Sequence, residues 1–271
     1  MKPGIPTWDT TRWLATIGSA LLVAACSGTG PAVSATPTPT VASSAIASTT
    51  PQPAMTQSPT QSPAPSSSSG FTPIDAGPHA ALVMGTAGYP GYTVVVPSGW
   101  YDGGGRFTIK YPSNGGRMPV LGISVWDVGV VFRDPCHWQG QDFNPGPSVA
   151  NLVAALVAQK LRNATHPTDV ILAGYKGKYL ELSVPADMKS SSWTKFDTCD
   201  PDDNGDGTFE SWQGNGMGGR YEEVPGQVDR VWVLDVNGQR LVVDATYSPD
   251  TTQADRDQLE QIVESLRFVG P

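Results

Sequence analysis

The residues best suited to chemistry lie in one acidic stretch. Counted from its first aspartate, oxygen-bearing side chains fill alternate positions and glycine fills the sixth: Asp202, Asn204, Asp206, Thr208 and Glu210. Calcium loops present carboxylate, amide and carbonyl oxygens at this spacing. The twelfth position is Gln213, where an EF-hand has a bidentate glutamate, and the flanks are rich in glycine. The stretch is therefore a candidate calcium loop in a β context. The alternative is a surface loop of turn-forming residues.

Two cysteines of the folded part, Cys136 and Cys199, predict a disulfide bond. The third, Cys26, belongs to an N-terminal export segment, and paired cysteines are common in exported domains. The bond would close a loop of more than sixty residues and contribute about 4 kcal/mol in the chain-entropy model. The alternative is a pair of buried free thiols. A metal site is poorly supported, because the three histidines are scattered along the chain.

No familiar catalytic motif accompanies these residues, so we predict a protein that is not an enzyme. Asp134 and His137 could orient each other, but no serine or cysteine nucleophile is specified beside them. Gly214, Gly216 and Gly219 approach a dinucleotide-binding pattern. Because no strand-to-helix context surrounds them, they predict a turn instead.

Aromatic residues offer a different chemistry, the binding of a glycan or another apolar ring. Six of them are candidates for such a surface: Trp126, Trp138, Trp193, Trp212, Tyr89 and Tyr221. Core or loop packing is the alternative for most of these rings. Trp193 and Trp212 flank the acidic stretch, and we expect them to be exposed contacts.

The N-terminal segment predicts export. Residues 13–25 form an apolar run behind Lys2 and Arg12, too short to span a bilayer and ending in small residues. We therefore predict a signal peptide over residues 1–25. The stretch Leu22-Val23-Ala24-Ala25-Cys26 resembles the lipobox of bacterial lipoproteins. That resemblance implies that Cys26 becomes the first mature residue and carries lipid, such as palmitate, on its sulfur. The alternative is an ordinary secretory signal with an incidental cysteine.

Residues 26–70 predict a disordered tether behind that anchor. From Ser27 to Gly70 the chain consists almost entirely of Ser, Thr, Pro, Ala and Gln, without a charged residue. Such a segment cannot bury a core, and its prolines favour extended polyproline II geometry. Its composition also permits O-glycosylation. The sequence thus predicts a domain tethered to the outer face of the cell membrane.

The remaining residues, 71–271, are expected to form a single α+β domain. Strand signals cover seven segments, at residues 92–97, 106–111, 120–132, 169–173, 178–184, 230–236 and 240–247. The third segment has a candidate bulge at Gly129. One helix is predicted from the N-cap Ser148 through Arg162, and a second from Thr252 with Asp255 in a capping box. We predict a mainly antiparallel sheet of about six to seven strands with two packed helices.

The domain is more acidic than the overall charge of −8, because Asp9 is the only acidic residue before it while Lys2 and Arg12 also precede it. An acidic domain disfavours nucleic acid and anionic lipid head groups as partners. The order of elements and two short motifs, Val96-Pro97-Ser98-Gly99-Trp100 and Ile262-Val263-Glu264-Ser265-Leu266-Arg267-Phe268, resemble PsbP-like domains. That resemblance implies a binding or assembly module.

A second resemblance covers most of the domain. Four stretches are similar to uncharacterised exported lipoproteins of high-GC Gram-positive bacteria: residues 126–129, 134–138, 174–182 and 225–232. This second resemblance implies a fold and an exported, membrane-anchored location, but it implies no reaction. Three function classes follow: a non-catalytic binding or accessory module for an unknown envelope ligand or protein, a calcium-stabilised structural head, and an envelope hydrolase. An exposed aromatic cleft would favour the first, and a buried carboxylate pair in a deep pocket the third.

Overall fold

A computed structural model describes residues 71–85, 89, 91–112 and 121–269. They lie within one compact unit, Ser62–Pro271. The two helices are Val149–Val157 (α1) and Gln253–Ser265 (α2). The strands are Thr72–Pro73 (β1), Gly77–Ala81 (β2), Tyr92–Val96 (β3), Tyr101–Gly103 (β4), Phe107–Lys110 (β5), Leu121–Trp126 (β6), Val128–Phe132 (β7), Asp142–Phe143 (β8), Thr168–Leu172 (β9), Tyr175–Ser183 (β10), Ser190–Ser192 (β11), Lys195–Phe196 (β12), Glu210–Gly214 (β13), Gly219–Tyr221 (β14), Val228–Val236 (β15), Gln239–Tyr247 (β16) and Arg267–Phe268 (β17).

The main sheet has eight antiparallel strands in the order β1-β4-β5-β6-β16-β15-β10-β9. The predicted α+β class with a mainly antiparallel sheet is confirmed, but the expected six to seven strands are too few. Strands β1 and β4 have only two and three residues. Segments this short show no periodicity in a sequence.

One face of the main sheet is covered by α2 and a three-stranded sheet in the order β17-β3-β2. The helix forms where the sequence predicted it, since the Thr252 hydroxyl accepts a hydrogen bond from the Asp255 amide. Its apolar stripe is buried at Leu259, Ile262 and Val263. These side chains pack on those of β6, β15 and β16 in the larger apolar core.

The predicted strand over residues 120–132 is divided between two sheets. Strand β6 belongs to the main sheet, whereas β7 belongs to a four-stranded sheet in the order β14-β13-β7-β8. The change occurs at the buried Asp127. The predicted bulge at Gly129 is confirmed, because Gln213 of β13 pairs with Val130 and Gly214 pairs with Val128, so the register skips Gly129. The Asp127 amide donates to the Met84 carbonyl, and its carboxylate accepts from Asn215 Nδ2 at 2.7 Å. These long-range contacts redirect the chain.

Helix α1 lies on the other face of the main sheet and is shorter than predicted. Ser148 caps it as expected, but the helix ends at Val157 instead of Arg162. Val157 and Leu161, which the apolar periodicity places against the sheet, are exposed. Leu161 has a positive φ of 58°, and this turn directs Arg162 into the interior.

The sequence predicts two hairpins, one across Asn237-Gly238 and one across Gly174-Tyr175-Lys176-Gly177. Both pairs of strands are present, but the second hairpin turns at Ala173-Gly174. Val236 pairs with Gln239 across Asn237-Gly238, where both φ angles are positive, as a tight two-residue loop requires. Leu172 pairs with Tyr175 across Ala173-Gly174. Strand β10 therefore begins three residues earlier than expected.

The predicted signal peptide (residues 1–25), Cys26 and the predicted tether (residues 26–70) lie outside the described residues. In the part of the chain that is described, no helix is long and apolar enough to cross a membrane.

Candidate binding cleft

Strand β16 shows how differently the two faces of the main sheet are built. Successive side chains of a strand point to opposite faces. Val243 and Ala245 enter the core beneath α2, while Val242 enters the second core, beneath α1. Asp244 follows Val242 on that second face, and its side chain is only 1% exposed. A charged residue thus lies within the sheet's interior.

Five buried charged residues meet beside Asp244, and we call them the buried charge cluster: Arg162, Arg220, Glu222, Asp229 and Asp244. Arg220 on β14 is its hub. Its Nε donates to Asp244 Oδ2 at 2.7 Å, and its Nη2 donates to Asp229 Oδ1 at 2.9 Å. The remaining nitrogen, Nη1, donates to the Tyr221 carbonyl and to Glu223 Oε1. Every nitrogen of this guanidinium is therefore engaged.

The second guanidinium, Arg162, comes from the turn after α1 and is fully buried. Its Nη2 donates to Asp229 Oδ2, and its Nη1 lies 3.2 Å from Glu222 Oε1. Ser211 and Gln227 donate further hydrogen bonds to Glu222. Because charges removed from water need such partners, the cluster explains why the chain leaves α1 early.

The cluster holds three carboxyl groups and two guanidinium groups, and their pKa values are shifted first by burial and then by the neighbouring charges. Burial raises the pKa of Asp244 to about 7, although Arg220 opposes the shift. Burial also raises the pKa of Glu222 well above its usual range. Burial alone would raise the pKa of Asp229, but Arg220 and Arg162 outweigh it and hold that pKa well below its usual range. Near neutral pH the cluster therefore retains protons.

A cleft of about 280 Å³ opens next to the cluster, between the main sheet and β14. Side chains of β5, β6 and β16 form one wall and its floor: Phe107, Ile109, Ser124, Trp126, Asp244 and Thr246. Arg220, Tyr221 and the β11–β12 turn, with Trp193 and Thr194, form the other wall. The Thr194 amide donates to the Glu223 carbonyl at 2.8 Å, which fixes that turn at the rim.

The cleft is bordered largely by aromatic rings. Phe71 contacts Phe107 edge to face, with 5.8 Å between ring centroids, and both rings are partly exposed. Trp193 is also partly exposed, and Tyr221 is 38% exposed. Rings that remain accessible in a concave site are typical of ligand pockets.

The six aromatic residues that the sequence offered as a ligand-binding surface therefore lie in different environments. Trp193, Tyr221 and part of Trp126 lie at the cleft, as a binding surface requires. Trp212 was expected to be exposed but is fully buried, and it packs edge to face on Trp126. Trp138 packs on Phe132. Tyr89 borders a separate depression. Long-range packing, which periodicity does not report, decides between these positions.

The candidate calcium loop is held by its own hydrogen bonds. Asp202 Oδ1 accepts from the amides of Asn204 and Asp206, and this hydrogen bonding lowers the pKa of Asp202. Asp206 Oδ2 lies 2.7 Å from Lys195 Nζ. In the described ranges, no group of three or more His, Cys, Asp or Glu side chains is placed to hold a metal ion.

The last two candidate calcium ligands are buried. Thr208 is 5% exposed and Glu210 0%, and Glu210 lies in β13 instead of in a loop. Glu210 Oε1 accepts from Gln213 Nε2 at 2.9 Å, while burial raises the pKa of Glu210 to about 7. The sequence also predicts one acidic loop from residue 197 to about residue 227. That prediction is wrong in part, because the segment contains β13 and β14. Gly216 lies in the turn between them, as predicted.

The predicted disulfide bond between Cys136 and Cys199 is present. It lies in a small third core with Phe196 and Phe209. The sequence left open whether Asp134 orients the imidazole of His137, and the structure does not show that contact. Asp134 accepts from the His137 amide instead, whereas His137 Nδ1 lies 3.3 Å from Asp200 Oδ1.

A second depression, of about 320 Å³, is polar and lies where β6 passes into β7. Its Arg240 guanidinium donates to the carbonyls of Gly146 and Val128. Its Asp127 holds Asn215. These polar groups already bind the protein's own chain, so the aromatic cleft is the better candidate for a ligand.

No family model matches this sequence, and no curated protein matches it. The argument for function therefore depends on the cleft and the buried charge cluster.

The cluster was missed in the sequence, although it left a signal. Asp244 interrupts the apolar run Leu241-Val242-Val243, and Asp229 precedes the apolar end of β15. A charge inside such a strand, with arginines elsewhere, indicates a buried ion pair. The positions of Arg162 and Arg220 give no local hint of which carboxylates they meet.

Proposed function

We propose that the chain is a surface-anchored lipoprotein whose domain is a non-catalytic binding module. The aromatic cleft carries this proposal, because it is concave, apolar and bordered by partly exposed rings. It takes the apolar part of an envelope ligand. The antiparallel α+β layout is compatible with a PsbP-like module.

The proposed anchor depends on the lipobox-like sequence before Cys26 and on the uncharged segment that follows. The disulfide bond supports export, because such bonds persist in oxidising compartments. The anchor would keep the domain at the outer face of the cell membrane, and the tether would allow the cleft to reach its ligand.

The binding proposal is tested with the neutral apolar dye N-phenylnaphthylamine, whose fluorescence rises in an apolar site. The protein is the chain without residues 1–26, which retains every described residue. We expect a saturable fluorescence increase with one dye per chain. Trp193→Ala removes one wall and should weaken dye binding several-fold.

The matched control is Ile171→Ala. Ile171 is 68% exposed on β9, at the far edge of the main sheet. Its loss should leave dye binding unchanged. An absence of saturable binding, or an equal loss in both variants, would refute the cleft as the site.

The anchor is tested separately in cells that make bacterial lipoproteins, by feeding an alkyne analogue of palmitate. The full chain should acquire the label and enter the membrane fraction. Cys26→Ser should lose both, whereas Cys136→Ser should keep the label. Label that persists in Cys26→Ser would contradict lipidation at this residue.

Calcium binding by residues 202–210 is the alternative function. Two buried oxygens without a hydrogen-bond partner in the described part of the chain favour it, Thr208 Oγ1 and Glu210 Oε2. A bound ion would have to compete with Lys195 for Asp206. The hypothesis predicts that millimolar calcium raises the unfolding midpoint by several degrees relative to EDTA. Loss of that rise in Asp202→Ala/Asp206→Ala would support the site, and no rise in the parent chain would refute it.

A further inference from the structure

The charges at the floor of the cleft are unbalanced. Two carboxyl groups line it, those of Asp244 and Glu223, and one guanidinium, that of Arg220. Arg220 is shared with Asp229 as well, at 2.9 Å. When both carboxyl groups of the cleft are ionised, the single positive charge of Arg220 therefore does not balance their two negative charges.

Glu223 is the accessible member of this group. Its side chain is 25% exposed, whereas those of Asp244 and Arg220 are nearly or fully buried. Glu223 Oε1 lies 3.2 Å from Arg220 Nη1. Negative charge thus reaches the surface of the cleft at Glu223, with Asp244 behind it.

The rings at the rim suit a cation. The face of an aromatic ring attracts a positive charge, most strongly when the charge is shielded from water. Trp193 and Tyr221 are partly exposed on the same wall as Arg220. A positive group in the cleft would meet aromatic rings and carboxylates together, whereas an anion would meet those carboxylates and a guanidinium whose three nitrogens already donate to the protein's own oxygens.

We infer that the cleft selects an apolar ligand that carries one ammonium group, which lies beside Glu223 with its apolar body between the aromatic walls. This inference rests on the proposed binding function, since it specifies the ligand class of the same cleft.

The protonation of the carboxyl groups near the cleft also supports the selection of an ammonium group. Asp244 faces Arg220 on β14, Asp229 on β15, and Glu223 beyond β14. Burial raises the pKa of Asp244 to about 7 and also raises that of Glu223. A bound cation stabilises the ionised carboxylates, so its affinity should rise as the pH increases from 5 to 8. The affinity of a neutral ligand should not follow this course.

The test uses three probes with one apolar body: phenylbutylamine, phenylbutanol and phenylbutyrate. Each displaces N-phenylnaphthylamine from the chain without residues 1–26. We expect the amine to act at about tenfold lower concentration than the alcohol, the preference that a shielded cation beside rings provides. The butyrate should be weakest. The advantage of the amine should grow with pH.

Glu223→Gln should reduce the preference for the amine and leave the alcohol unchanged. The matched control is Glu264→Gln, an exposed carboxylate on α2, which covers the opposite face of the sheet. It should leave all three affinities unchanged. A preference that survives Glu223→Gln at full size would overturn the assigned position of the ammonium group.

The outcomes separate this inference from the proposed function. Equal displacement by amine and alcohol, or strongest displacement by the butyrate, overturns the charge selection while the apolar site stands. Failure of the dye to bind overturns the proposed function itself. If only the shorter chain, residues 62–271, binds the probes, the preceding segment is the occupant, and the inference is overturned.

Discussion

The two faces of the main sheet are stabilised by different forces. Beneath α2 the interior is apolar, with Val243, Ala245 and Leu259 almost wholly removed from water. On the other face, apolar packing under α1 adjoins the buried charge cluster and then the open cleft. One strand, β16, contributes to both faces.

The apolar face therefore contributes mainly stability, whereas the charged face also specifies one arrangement of the chain. Apolar burial is non-directional and tolerates many shapes, whereas a buried ion pair needs partners at fixed distances. The charged face therefore holds β14 and the turn after α1 in one arrangement, and the wall of the cleft is built on β14. We expect mutations beneath α2 to change stability alone, and mutations in the cluster to change stability, pH response and cleft geometry together.

The largest effect is expected for Arg162→Met. It leaves Asp229 and Glu222 with one guanidinium between them, and breaking a buried pair costs about 3–5 kcal/mol. Urea denaturation measures the loss. Adding Glu222→Gln should recover part of it, because the uncompensated charge is removed.

Arg256→Met is the control for that variant. Arg256 lies on α2, and among the described residues its side chain hydrogen-bonds to Gln253 and contacts the Tyr247 ring. Its loss should cost less than about 1 kcal/mol. Equal costs at the two arginines would mean that the cluster does not stabilise the fold as argued.

Leu259→Ala should cost about 3 kcal/mol, through lost burial and the cavity left beneath α2. The cost should be the same at pH 5 and pH 8, because neutral apolar contacts do not titrate. Urea denaturation at both pH values checks this. Leu82→Ala, at an exposed leucine, should stay within about 0.5 kcal/mol. A pH-dependent cost at Leu259 would contradict the proposed difference between the apolar face and the charged face.

The pH response of the charged face has a definite sign. The pKa of Asp244 is raised from 3.8 to about 7, so the folded chain keeps a proton that the unfolded chain has lost. That stabilisation is complete below about pH 4 and is lost as the pH rises to about 7. Glu210 acts in the same direction, and Asp229 opposes it only in more acidic solution.

Asp244→Asn should therefore flatten the fall in unfolding free energy between pH 4 and 7, by about one proton in the slope. Denaturation across that range measures it. Asp250→Asn, at an exposed aspartate, should reproduce the parent curve. A parent chain whose stability does not fall over this interval would contradict the raised pKa.

The smallest effect is expected at the open end of the charged face. Tyr221→Ala removes a ring that is 38% exposed, so the unfolding free energy should change by less than about 0.5 kcal/mol. Dye binding to the cleft should nevertheless weaken measurably. Loss of stability without loss of binding would make Tyr221 a packing residue and not a wall of the site.

The predictable features of the fold were those with local causes. The Asn237-Gly238 turn and the Thr252 cap each depend on residues within one turn, so their sequence decides their structure. The break at Asp127 depends on Met84 and Asn215, and the end of α1 depends on where Arg162 finds carboxylates. Such distant partners cannot be read from periodicity. The cleft is made by elements distant in sequence, so only three of its rings, Trp126, Trp193 and Tyr221, were candidates for ring binding from the sequence.

The centre of the main sheet pairs β6, which is synthesised early in the domain, with β16, which is synthesised late. Strand β6 pairs with β16, with Leu121 opposite Tyr247, so β5 and β6 lack their inner neighbour until almost the whole chain has been made. Pairing at this sequence separation slows folding, because a large loop must close first. For the exported chain proposed above, a signal at the N-terminus would reach the transport machinery while the domain was still unable to close. In such an exported chain, this strand order would favour closure of the domain after the chain has crossed the membrane.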